Sequence, residues 1–117
     1  MGFEIQTRAV GAVIVIEAVG RFTATDGRTK LRDLVHVLTN SGTKKFVLHL
    51  ERVVFIDSSG IGELLRSHFV VRENAGELKL ACVNAKVMDV LRISRMDKVF
   101  EIHPSEDAAL RAFGQKS

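Results

Sequence analysis

The chain has no tryptophan, no tyrosine, a single cysteine and no apolar run longer than a few residues. Without Trp or Tyr the core has to be built from Phe, Val, Ile and Leu, and hydrophobic residues at 46% supply ample material for it. One cysteine, Cys82, excludes an internal disulfide and fits a reducing compartment. It lies in the apolar Leu78–Val83 run and reads as a packed side chain rather than a reactive thiol. The lack of a long apolar run excludes a transmembrane helix and membrane insertion, and the first residues have neither the basic segment nor the apolar stretch of a secretory signal. Met1-Gly2 invites a myristoylation reading, but that pattern asks for Ser or Thr at the sixth position and this chain has Gln6. Charge of one sign is not in excess either: 17 Lys and Arg stand against 14 Asp and Glu, interspersed, for a net +3. No basic stripe marks a direct nucleic-acid surface. A cytoplasmic location is expected.

Catalytic signatures are missing as well. A hydrolase elbow needs Gly-x-Ser-x-Gly with a His and acid pair, yet the residue two before Ser58 is Ile56. The histidines at 36, 49, 68 and 103 fall on separate elements without metal-ligand spacing. No Gly-x-x-x-x-Gly-Lys run is present to cradle a nucleotide phosphate. The expectation is a protein that is not an enzyme and carries no cofactor and no metal.

What is present is an alternation of strand-like and helix-like segments over 117 residues, one domain by size. Phe3–Thr7 alternates as an edge strand, Gly11 breaks it, and the β-branched Ala12–Val19 run pairs with it as a hairpin. Gly20-Arg21-Phe22-Thr23 ends that element, and Thr23 with Asp26 resembles a capping box. The first helix carries Leu31, Leu34, Val35 and Leu38 and closes at Asn40-Ser41-Gly42. Lys44–Leu50 reads as the third strand, followed by a short apolar run, Val53–Ile56, and then a helix from about Ser58 to Asn74. Glu77–Val83 is a fourth strand, Asn84 caps a third helix with Val87, Val90 and Leu91, and Val99–Ile102 is a last short strand. Pro104-Ser105-Glu106-Asp107 starts a final helix pinned by Leu110 and Phe113, with 114–117 as a frayed tail. The pattern predicts an α/β fold: a mixed sheet of about five strands covered by about four helices.

The segment from Phe46 to Val71 organises the rest. The helix after Asp57 has Ile61, Leu64, Leu65, His68 and Phe69 at the spacing of one helical face. His68, on that stripe, reads as a satisfied core or boundary residue. Asp and Ser at its start are N-cap residues, whose side-chain oxygens accept from unpaired first-turn N–H groups. Gly60 and Gly62 weaken a first turn, so close backbone approach by another group is implied. Ser58 is thus presented at the positive end of a helix among small residues.

Asp57-Ser58-Ser59-Gly60-Ile61-Gly62, after a Val-Val-Phe-Ile run and before a helical period, resembles the signature of the STAS domain family of anti-sigma factor antagonists. The close match covers Phe55–Leu65, and the element order agrees over nearly the whole chain. The resemblance implies a single STAS-type domain over residues 1–117. It implies that Ser58 is the acceptor for a partner that is both anti-sigma factor and serine protein kinase, and that a serine phosphatase reverses the modification. In that family the unmodified antagonist binds the anti-sigma factor and releases the sigma factor, and the phosphorylated form lets go. By the same matching Asp57, Ser59, Gly60, Ile61 and Gly62 line the partner surface, together with Arg21 and Thr23 on the turn after the second strand. Family members often carry acidic residues on that turn, so Arg21 and Thr23 reverse its local charge. Two alternatives stay open: a STAS scaffold subunit of a signalling assembly or membrane transport system that is never phosphorylated, and a nucleotide-binding sensor.

Overall fold

The computed structural model describes residues 2–23 and 30–114. The expected pairing of Thr23 with Asp26 and all but Gly114 of the expected tail at 114–117 therefore lie outside the described residues. Strand β1 (Phe3–Val10) turns at Gly11, which adopts φ +59°, into β2 (Val13–Phe22), and the two run antiparallel. Helix α1 (Lys30–Asn40) leads to β3 (Lys45–Ile56), α2 (Ser58–Glu73) to β4 (Glu77–Ala81), and α3 (Ala85–Ile93) with a 3-10 turn (Met96–Lys98) to β5 (Glu101–His103). Helix α4 (Glu106–Ala112) follows. The sheet order is β1-β2-β3-β4-β5, with every pair after the first parallel. The expected mixed five-stranded sheet with four helices is the fold observed.

Alternation along the strands sorts the core into two unequal layers. Ile16, Ala18, Phe46, Leu48, Leu50, Leu78 and Leu80 join the larger cluster with α1, α2 and α3 residues such as Leu31, Val35, Leu64 and Leu91. Val13, Val15, Val47 and Ala81 face the other way and are covered by Ala109 and Leu110 of α4. Cys82 packs at the margin of this smaller cluster, and burial pushes its thiol up from the ordinary range.

Several boundaries differ from the sequence expectation for identifiable reasons. Gly20–Phe22 continues β2 rather than ending it: Gly20 adopts φ +105° with the Gly2 carbonyl against it, and Phe22 stacks on Phe3 at 4.4 Å between ring centroids. The two apolar runs at 46–50 and 53–56 are one strand. Their inward residues step Phe46, Leu48, Leu50, Val53, Ile56, and the β2–β3 register shifts between Glu17 and Val19 and again between Gly20 and Arg21. Each step of three holds one extra residue, which is a β-bulge. The last strand begins at Glu101 because Met96–Lys98 forms a 3-10 turn.

Helix α2 buries a different stripe from the one expected. Ile61, Leu64 and His68 are inside, but Leu65 is half-buried and Phe69 is 52% exposed, while Glu63 and Ser67 are buried. Helix α1 packs along the flank of α2 and rotates the covered face toward Glu63. His68 is buried against Phe100, with the ring centroids 5.2 Å apart, but its Nδ1 finds no hydrogen-bond partner, contrary to the expected satisfied histidine. Burial, and then the charge of Arg72, hold His68 below the ordinary imidazole range. The folded protein therefore disfavours the imidazolium, so the unfolded chain takes up the proton first and stability falls as pH drops below about 6.5. His68→Leu is expected to shrink the loss of stability between about pH 7.5 and pH 5.5, measured by urea unfolding. An unchanged loss would assign that slope to groups other than His68.

Candidate functional site

The turn between β3 and α2 is built from inside outward. Asp57 has extended backbone (φ −116°, ψ −173°) and its Oδ1 accepts from the Gly60 amide at 3.0 Å, so Asp57 is the N-cap and Ser58 the first helical residue. The Asp57 amide reaches back to the Phe22 carbonyl at 3.5 Å. Gly60 is buried, and a Cβ there would run into the same Phe22 carbonyl and come within 2.7 Å of Ile56 Cγ1. The close approach that its glycine implied is therefore made by the chain itself. At Gly62 the only neighbour of such a Cβ among the described residues would be the Arg66 guanidinium at 3.3 Å.

These contacts narrow the surface expected from the signature. Ser58 is exposed, Asp57, Ser59 and Gly62 are half-buried, but Gly60 and the Ile61 side chain (8% exposed) face inward, where the helix packs on β2 and β3. Of the two residues expected on a turn after β2, Arg21 lies within the strand and is exposed, with its guanidinium 4.9 Å from the centre of the Phe55 ring, whereas Thr23, just past the strand, is buried.

The structure adds residues that the sequence reading missed. Ser58, Ser59 and Gly62 share a cleft of about 390 Å³ with Arg32, Glu63 and Arg66. Glu63 is buried, and its carboxylate lies 3.4 Å from Arg32 Nε and 4.0 Å from Arg66 Nη1. Among the described residues its Oε2 nevertheless finds no hydrogen-bond partner. Helical spacing places Arg66 one turn after Gly62 and so made it findable. Arg32 comes from α1, and no local pattern could have announced it.

The STAS domain family matches residues 4–109. This chain belongs to the STAS family. STAS domains are regulatory rather than catalytic, and this one is homologous to anti-sigma factor antagonists. An anti-sigma F factor antagonist of Paenibacillus polymyxa is 24% identical over 110 residues, covering 94% of each chain. Among solved structures, an anti-sigma-factor antagonist (STAS) domain protein from Planctomyces limnophilus is similar with a TM-score of 0.82 at 24% identity, over 94% of this chain and 97% of that one. The phosphorylated form of the Bacillus cell fate determinant SpoIIAA is similar with a TM-score of 0.71 at 22% identity, over 93% of this chain and 99% of that one. No helix of this STAS domain, among the described residues, is long and apolar enough to cross a membrane.

Proposed function

We propose that this STAS domain is an anti-sigma factor antagonist whose unmodified form binds an anti-sigma factor with serine kinase activity, and that phosphorylation of Ser58 releases it. The observation that carries the reading is the placement of Ser58: an exposed hydroxyl on the first residue of α2, opening onto a cleft with Arg32 and Arg66. The names of the similar proteins, an anti-sigma F factor antagonist and a phosphorylated cell fate determinant, support the same direction.

A phosphate on Ser58 brings about −1.5 to −2 charges and three acceptor oxygens to a helix N-terminus that already favours an anion. Arg66 and Arg32, now shared by the half-satisfied Glu63 carboxylate, are at hand to pair with it. The domain keeps its fold, and the change is confined to the surface. A partner seated over Arg21, Phe55, Asp57, Ser58, Ser59 and Gly62 has to desolvate that dianion or leave. Gly60, Ile61 and Thr23 act behind this surface by shaping the turn. The exposed cation at Arg21 favours a partner patch more acidic than the one served by antagonists with acidic residues there.

Incubation with ATP and the serine kinases of the same genome is expected to add a single phosphate, mapped by mass spectrometry to Ser58 and absent from Ser58→Ala. Ser58→Asp is expected to weaken binding to the partner kinase by at least about tenfold, with Ser58→Ala binding like the unmodified protein. Equal binding of both variants would defeat the switch while leaving the fold intact.

A further inference from the structure

On the face of the sheet opposite α2, three different donor types converge. His49 and Glu51 project from β3 on the α4 side, and Cys82 follows Ala81, the β4 residue paired with His49. One imidazole nitrogen, the thiol sulfur and a carboxylate oxygen of this trio lie within 4.8 Å of one another. Cys82 adopts φ +54°, a left-handed conformation uncommon outside glycine. Behind the trio, Glu106 Oε1 lies 3.2 Å from His49 Nδ1, and Glu106 is itself paired with Arg8. If Nδ1–H donates to Glu106, the Nε2 lone pair faces Glu51 Oε1 at 3.5 Å. Two acceptors are then set toward each other, and a cation between them would satisfy both.

We propose that His49, Glu51 and Cys82 bind one divalent transition-metal ion of the zinc type, with Glu106 orienting His49 from behind and the fourth position open to solvent. Nitrogen, sulfur and carboxylate oxygen in one set select zinc-like ions over magnesium or calcium, which take oxygen ligands. Around a tetrahedral ion with bonds of about 2.0–2.3 Å the donors stand roughly 3.3–3.8 Å apart. The trio therefore has to close by up to about 1.5 Å, and the exposed Glu51 side chain supplies its share by changing rotamer. The Glu106–His49 contact is the carboxylate–histidine pairing that fixes the tautomer of metal-bound imidazoles. The sequence expectation of no metal rested on linear spacing. His49 and Cys82 are 33 positions apart, and only the parallel β3–β4 ladder makes them neighbours.

The test uses the full chain, reduced and stripped with chelator, titrated with Zn²⁺ against a chromophoric competitor and separately with Co²⁺. One equivalent per chain is expected, with a thiolate-to-cobalt charge-transfer band. Cys82→Ser should abolish the band, and both Cys82→Ser and His49→Gln should lower zinc affinity at least about tenfold. Glu106→Gln should keep the band and the stoichiometry while lowering affinity by about 10–100-fold. His36→Gln, an exposed site on α1, serves as the control and should change nothing. Cys82→Ser is nearly isosteric, and circular dichroism of each variant secures its fold. No saturable uptake, or uptake unchanged in both Cys82→Ser and His49→Gln, would overturn the assignment.

Discussion

Gly60→Ala is expected to destabilise the domain by about 1–3 kcal/mol, while Gly62→Ala, two residues on, is expected to stabilise it by up to about 1 kcal/mol. On helix propensity alone both substitutions would help, since glycine is the poorer helix former. The difference lies in what each new methyl meets. At Gly60 it meets the Phe22 carbonyl, a backbone group at the end of β2, and Ile56 Cγ1 in the core. Neither can withdraw without moving a strand or opening a packed interior. At Gly62 it meets the tip of Arg66, which swings aside. Urea midpoints of the two variants check the pair, and shifts of the same sign would mean that the turn is not braced against β2. A stable Gly62→Ala that no longer meets the kinase would also place the partner's contact on that exposed shoulder of the helix.

Asn84→Ala is expected to cost about 2–4 kcal/mol, well beyond the roughly 1 kcal/mol of an ordinary lost N-cap. The Asn84 side chain works in two directions. Its Oδ1 accepts from the Val87 amide at 3.0 Å and starts α3. Its Nδ2 donates to the carbonyls of Val53 at 2.7 Å and Glu51 at 3.1 Å, with Leu50 at 3.4 Å. Those carbonyls belong to the bulged stretch of β3, past the last β3–β4 pair at His49 and Ala81, where β2 still pairs on one side but β4 no longer does on the other. Asn84→Asp separates the two duties, because it keeps the cap acceptor but replaces the donor with a charge facing carbonyl oxygens. It is expected to lose most of the same stability. If Asn84→Asp unfolds at the wild-type midpoint, the bulge is held by something other than this amide.

Much of this was readable from local chemistry. Asn84 and Ser105 were legible as caps, because a short acceptor before an apolar period has few other uses, and both accept from first-turn amides in the structure. The strand–turn–helix unit around Asp57 was legible for the same reason. The stripe of α2 was misjudged because periodicity locates an apolar face but not the neighbour that covers its flank. Helix α1 packs against α2, with Arg32 on Glu63, and Phe69 is left outside. Bulges also escape a period-two reading, so one strand looked like two runs. Thr23 and Ile61 were assigned to a partner surface by position in a motif, and a motif carries no sidedness. Arg32 beside Ser58 and Cys82 beside His49 exist as neighbours only through tertiary structure.

The Phe22 carbonyl accepts the Asp57 amide and forms the wall against which Gly60 rests. The end of β2 and the opening of α2 consequently share a single rigid joint. A molecule that grips the Arg21 side with different strength in two settings of that joint must bias the serine turn, and esterification of Ser58 must bias the Arg21 side by the same free energy. Under the proposed phosphorylation, affinity on the Arg21 side and the state of Ser58 would then be two readings of one equilibrium.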